Sequence, residues 1–179
     1  MIYCFLADGF EEIEALATVD ILRRAGLAVK TVGVMGDRAV GSHGIDVSVD
    51  IPIDRLVLDD SLEAVILPGG MPGTKHLDQC EQVRDAVSRC IARDTLVCAI
   101  CAAPSVLGHM GVLTHRRATC YPGFESELFG ATYTGERVTT DGNIITAKGA
   151  GCAYDFGFAI VERLCSKKVA DDVAASMMC

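Results

Sequence analysis

The chain has 179 residues, half of them hydrophobic and 22% charged, a composition that excludes a disordered polymer and fits one domain with a sizeable core. Its 16 basic and 24 acidic residues leave a net charge of −8, and no Lys/Arg cluster exceeds pairs such as Arg23-Arg24 and Lys167-Lys168. That balance argues against nucleic acid and anionic membrane surfaces as partners, and no apolar run reaches the ~18 residues of a membrane span.

The chain begins MIYCFLADGFEEIE, without the basic region of a secretory signal. Nine cysteines, odd in number and without framework spacing, fit a reducing compartment, so a cytoplasmic protein is expected. Ile2–Ala7 reads as a strand buried on both faces. Ile13, Leu16, Ala17 and Ile21 then mark an apolar helix stripe that Gly26 ends. A second strand covers Leu27–Met35, and Ile45, Val47 and Val49 alternate with polar residues after a turn at Gly41–Gly44.

Ala64–Leu67 is a third buried strand, followed by a helix with its stripe at Val83, Ala86, Val87, Cys90 and Ile91. Leu96–Ile100 is a fourth strand, and Val138–Ala147 folds back around Asp141-Gly142, a tight-turn pair. A third helix carries Ala153, Phe156, Gly157, Ile160, Val161 and Leu164, and Val169, Val173 and Met177 suggest a short terminal one. Strand and helix alternating in this way predict a doubly wound α/β domain over residues 1–179, with a mostly parallel sheet and helices on both faces.

Ligands of open α/β sheets bind beyond the carboxyl ends of the strands. The sharpest such end is Ile100-Cys101-Ala102-Ala103-Pro104, where a buried strand meets a cysteine and then small residues that permit a tight turn into a helix. This is the layout of a nucleophile elbow, and a helix N-terminus beside the thiol would lower its pKa. Read blandly, Cys101 is one more small buried hydrophobe. Gly69-Gly70 after the third strand brings backbone N–H groups near a bound anion, or is a plain turn. Asp8, Glu11, Glu12 and Glu14 open the first helix, where carboxylates are favourable anyway, and spacing does not tell which of them meets the thiol.

Cys98 and Cys101 form a C-x-x-C, but a Cys98 inside an extended strand lies ~10 Å from Cys101, beyond disulfide reach. His43, His76, His109 and His115 lack metal-ligand spacing and read as surface or turn residues. Neither dinucleotide nor nucleoside-triphosphate fingerprints occur. No metal and no cofactor are expected.

Taken together, the blocks Ala7-Asp8-Gly9-Phe10-Glu11-Glu12-Ile13-Glu14, Leu67-Pro68-Gly69-Gly70 and Ala99-Ile100-Cys101-Ala102-Ala103-Pro104 resemble the ThiJ/PfpI superfamily. The branch is that of the Parkinson-disease-associated protein deglycase and its bacterial relatives. Val19-Asp20-Ile21-Leu22-Arg23-Arg24-Ala25-Gly26 and Lys148-Gly149-Ala150-Gly151 match as well, so the resemblance spans essentially the whole chain. It implies a flavodoxin-like sandwich, a homodimer, Cys101 as the nucleophilic or oxidisable residue, and Glu14 as its hydrogen-bonding acid. The oxyanion donors fall on the N–H groups of Gly70 and Ala102, within the Gly69-Gly70 turn and the elbow.

Two departures bear on activity. Protease-like members carry a Cys-His pair at the elbow, whereas Ala102 follows Cys101 here, which argues against a peptidase. The deglycase branch often has a histidine before a proline near the thiol, and Tyr121 of Cys120-Tyr121-Pro122 takes that place. With a side-chain pKa of ~10, a tyrosine is no near-neutral base, which leaves that work to Glu14 or water. The resemblance implies hydrolysis of small carbonyl or glycated substrates of the deglycase and glutathione-independent glyoxalase type. Its alternatives are a redox sensor or chaperone in which Cys101 becomes sulfinic acid, and a role in thiamine-related (thiazole monophosphate) metabolism. His43, in the Gly41–Gly44 turn, is expected to approach the partner's site in the dimer.

Overall fold

The computed structural model describes all of residues 1–179. Its central sheet begins with β1 (Ile2–Leu6), β2 (Val29–Gly33), β5 (Ile51–Pro52), β6 (Ala64–Leu67) and β7 (Leu96–Ile100). It is completed by the hairpin β10 (Val138–Asp141) and β11 (Ile144–Ala147). The strand order is β10-β11-β7-β6-β1-β2-β5, parallel except for the β10–β11 edge pair. Every residue of β1, β6, β7 and β11 is buried, which explains why these strands read as unbroken apolar runs. Gly142, at φ +60°, closes the β10–β11 hairpin at the tight-turn pair that the sequence offers.

One face is covered by α1 (Glu12–Arg24), α5 (Ala153–Leu164) and α6 (Lys167–Ser176), around Phe10, Ile21, Phe156 and Ile160. The other is covered by α2 (Gly73–Gln79), α3 (Glu81–Ala92) and α4 (Pro104–His109), around Phe5, Leu67, Val87 and Leu107. α1 and α5 pack so closely that a Cβ on Gly157 would lie 2.8 Å from Ile21 Cδ1. Two small pairs lie outside the main sheet: β3 (Arg38–Val40) with β4 (Asp46–Ser48), and β8 (Arg117–Ala118) with β9 (Thr132–Tyr133). No helix is long and apolar enough to cross a membrane.

The doubly wound arrangement and both hairpins follow the sequence expectation. The expected face of α1 does not. Ala15, Val19, Ile21 and Leu22 are its buried apolar residues, while Ile13 and Leu16 are 54% and 36% exposed. The helix carries apolar residues on two faces, and only one of them meets α5. The second strand is shorter than expected because Leu27 and Ala28 follow the turn at Ala25-Gly26 (φ +76°) and precede the first β1 pairing at Val29, and Val34 and Met35 lie past the last one. Sequence reading missed α2, β5, β8 and β9, all too short to show a period.

Candidate functional site

In the sheet, β7, β6 and β1 are neighbours in register, with Leu67 opposite Ala99 and Ile66 opposite both Cys98 and Cys4. Their carboxyl ends therefore meet at one place. β7 delivers Cys101, β6 delivers Gly69 and Gly70, and the loop after β1 starts α1, which carries Glu14.

Cys101 has φ +66°, a left-handed conformation that costs a residue with a β-carbon about 1–2 kcal/mol. Two main-chain bonds hold it there: its N–H donates to Ala147 O at 2.9 Å, and its C=O accepts from Tyr121 N–H at 2.8 Å. The elbow read from the sequence is thus a real local strain that points the half-buried thiol at the convergence of the strands. The N–H groups of Ala102 and Gly70 act on the sulfur and favour its ionised form.

Glu14 is fully buried. Its Oε2 accepts from Gly69 N–H at 2.8 Å, while Oε1 receives no hydrogen bond from any N–H or O–H. The thiol, a weak donor, acts on this carboxyl, but their contact falls short of a well-aligned hydrogen bond. Gly69 has to be a glycine for steric reasons, since a Cβ there would stand 2.6 Å from Cys101 Cβ and 2.8 Å from Glu14 Oε2. This revises its expected role: the Gly69 N–H serves Glu14, leaving Gly70 and Ala102 as the donors to the sulfur.

Burial, chiefly, pushes the Glu14 carboxyl up to about 7, against the nearby Cys101 thiol and the hydrogen bond from Gly69. Burial, then the charge of Glu14 and its contact with the thiol, push the Cys101 thiol up to about 12. The two groups titrate as a pair that loses one proton near neutrality and holds the other far into the alkaline range. The expectation of a thiol ionised by a helix dipole is corrected accordingly. α4 is six residues long and begins only at Pro104, so burial and Glu14 dominate. Exposure does not single Cys101 out either, because Cys165 and Cys179 are the exposed thiols; the carboxyl partner does. Cys98 lies fully buried within β7, and all nine cysteines are free.

The structure joins Cys101, Glu14, Gly69, Gly70 and Ala102 in one site. Tyr121 touches it through its main chain, and its half-exposed ring lies along Gly149. His43 stands elsewhere within the chain: its Nδ1 is 2.8 Å from Glu12 Oε2, and its N–H donates to Glu12 Oε1 at 2.7 Å. Glu11, Glu12 and His43 bring ligand-type atoms within 4.8 Å of one another, a grouping that a separation of some thirty residues hid from spacing arguments. Glu12 already accepts from His43, Ser42 and Ile45, so its oxygens are engaged. Sequence reading also missed the individual part played by Glu11. Its Oε2 caps α1 by accepting from Glu14 N–H at 2.8 Å, and its charge adds to the rise in the Glu14 pKa. A carboxylate three residues before Glu14 at a helix start was the available signal.

A model of the DJ-1/PfpI family matches residues 1–163. Protein dj-1beta of Drosophila melanogaster is 35% identical over 176 residues, covering 97% of this chain and 94% of that protein. The glutathione-independent glyoxalase DJR-1.2 of Caenorhabditis elegans is 31% identical over 156 residues, covering 86% of this chain and 82% of that protein. Among solved structures, oxidized DJ-1 of Toxoplasma gondii superposes with a TM-score of 0.94 at 30% identity, covering 99% of this chain and 97% of that one.

Proposed function

Since the chain belongs to the DJ-1/PfpI family, we propose that it is a cysteine-dependent stress-response protein that hydrolyses reactive carbonyls, in the manner of a deglycase or glutathione-independent glyoxalase. The observation that carries the reading is Cys101, held at positive φ between the Glu14 carboxyl and the N–H groups of Gly70 and Ala102. With a 2-oxoaldehyde such as methylglyoxal, the sulfur adds to the aldehyde carbon, and the new alkoxide takes the proton that the pair retains. Gly70 and Ala102 face the oxygen on which charge develops. The Glu14 carboxylate then removes the hydrogen from the same carbon and returns it to the neighbouring one through an enediol, which converts the hemithioacetal into a thioester. Water cleaves the thioester, releasing the 2-hydroxy acid and restoring the thiol. Aldehyde and water account for every atom and electron, so the sequence of steps needs no cofactor.

A specific observation favours a second reading, in which Cys101 is a peroxide sensor. Glu14 Oε1 is buried without a partner, and with the carboxyl pKa raised to about 7 a protonated Oε1 would donate to a sulfinate oxygen on an oxidised Cys101. Lactate formation from methylglyoxal separates the two. Turnover by the parent protein that is lost in Cys101→Ser supports the enzyme. A parent without turnover whose Cys101 peptide gains two oxygens in dilute peroxide supports the sensor.

The reading includes a homodimer through α1, where Ile13 and Leu16 stand exposed, Ile13 beside Ile45 and the Glu12–His43 pair. Light scattering should give about 38 kDa, twice the 19.0 kDa chain, and a monomer mass at micromolar concentration refutes it.

A further inference from the structure

His109 ends α4 with both ring nitrogens engaged. Nδ1 is 2.8 Å from Asp78 Oδ2, next to the end of α2, and Nε2 is 3.0 Å from Glu127 Oε2, on the turn Glu125–Glu127. A neutral imidazole donates from one nitrogen only, and ionised carboxylates only accept, so two such contacts call for a doubly protonated ring. The ring is 30% exposed on its side chain and tilts against Phe129 with 5.3 Å between centroids. The charged groups around it are Lys75 and Asp78 from α2, Arg84 of α3, which is 3.0 Å from Asp78, and Glu127. With these contacts the ring ties α2, α4 and the segment 121–129 together.

That segment is the one whose Tyr121 N–H holds the Cys101 carbonyl. Between the three tied elements lies a cavity of about 230 Å³, lined among others by Met71, Ser105, Phe124 and His109. Met71 follows Gly70, and Ser105 Oγ donates to Ala102 O at 2.7 Å, so each donor to the sulfur is joined to the cavity wall by one peptide link or one hydrogen bond. The geometry points to His109 as a positioning residue of the Cys101 site: bridging Asp78 and Glu127 as a doubly protonated ring, it holds the outer wall of this cavity and the Tyr121 peptide in place. The inference rests on Cys101 as the reactive centre, but not on which substrate it takes.

Both carboxylates hold the His109 pKa above its ordinary 6.5. The sign follows. A raised histidine contributes its full stabilisation below its unfolded pKa and loses it as pH rises through the folded value.

Three measurements on the full chain test the inference. In nitrogen-detected NMR of the parent at pH 6.5, the His109 ring should be mostly protonated at both nitrogens; a mainly neutral ring there overturns the proposal. Hydrogen exchange at Gly123–Phe129 should quicken by about tenfold as pH rises through the His109 titration, beyond its intrinsic pH dependence, as one charge-assisted bond is lost. N-ethylmaleimide labelling of Cys101, read by peptide mass spectrometry, should show a step at the same pH beyond that of the Cys101–Glu14 pair itself. In His109→Gln the exchange should be fast and without the step already at pH 6. In His109→Arg, whose cation never titrates in this range, protection should persist and the step vanish. Equal protection in the parent and His109→Gln, or a step retained in either variant, overturns it. Failure of methylglyoxal turnover leaves these readouts intact and bears only on the proposed reaction.

Discussion

Glu12 and Glu14 stand two residues apart at the start of α1, both closed off from solvent, and they ionise in opposite directions. Burial raises the pKa of both carboxyls, but Glu12 is held down at about 2 by the His43 ring and by the N–H groups of His43 and Ile45. Glu14 has one N–H donor, Gly69, and is pushed up to about 7. Glu12 is also covered only by the thin turn before β4, whereas Glu14 points into the strand ends between Gly69 and Cys101. Burial therefore does not decide whether a carboxyl is a structural anion or a proton carrier. The number of donors aimed at it does.

The largest expected effect tests the proton-carrying member. Glu14→Gln keeps the shape but removes the exchangeable proton, and should lower kcat/KM for methylglyoxal at least about 100-fold, the scale of general acid–base catalysis. A rate within twofold of the parent would reduce Glu14 to a helix-start carboxylate.

Stability against pH sharpens the contrast. The folded pKa of Glu14 is raised above 4.5, so its contribution is complete below that value and fades as pH rises toward about 7. Folding stability of the parent relative to Glu14→Gln should fall across that window by on the order of 3 kcal/mol, as read from urea unfolding. For Glu12 the sign reverses: its contribution is present above 4.5 and is lost as pH falls toward about 2. Glu12→Gln should then cost about 1–3 kcal/mol at pH 7, progressively less as pH falls below 4.5, and little only near pH 2. Parallel pH profiles for the two variants would break the comparison.

Smaller effects come from the glycine that keeps Cys101 and Glu14 within reach of each other. Gly69→Ala drives a methyl between them and should cost roughly 1–3 kcal/mol, with loss of Cys101 reactivity. Gly151→Ala, whose Cβ meets nothing within 4 Å, should stay within about 0.5 kcal/mol of the parent. Chemical unfolding of both variants measures the difference.

Much of this was legible in the chain. Ala64–Leu67 and Leu96–Ile100 are strands at the bounds their apolar runs suggest, because a strand buried on both faces has no polar residue to blur its edges. The elbow was legible for a related reason, since a cysteine followed by small residues after such a strand leaves few ways to turn. Three things were not. Glu14 could not be told from Glu11 and Glu12 by spacing, because the distinction depends on where Gly69, fifty-five residues away, places one N–H. The exposed face of α1 looked like core because periodicity records that residues are apolar, not what covers them. The His109 bridge joins positions 31 and 18 residues distant, each unremarkable in its own segment.

The left-handed backbone at position 101 has a consequence for descent. Only glycine adopts that conformation without steric penalty, so the cysteine leaves this chain less stable at that residue than it needs to be. Selection for stability pushes toward a smaller residue, and only selection for the thiol opposes it. Position 101 is therefore a running record of whether the sulfur is still in use: in a lineage that abandoned the chemistry it should be among the first residues of the site to change, and glycine the residue it changes to.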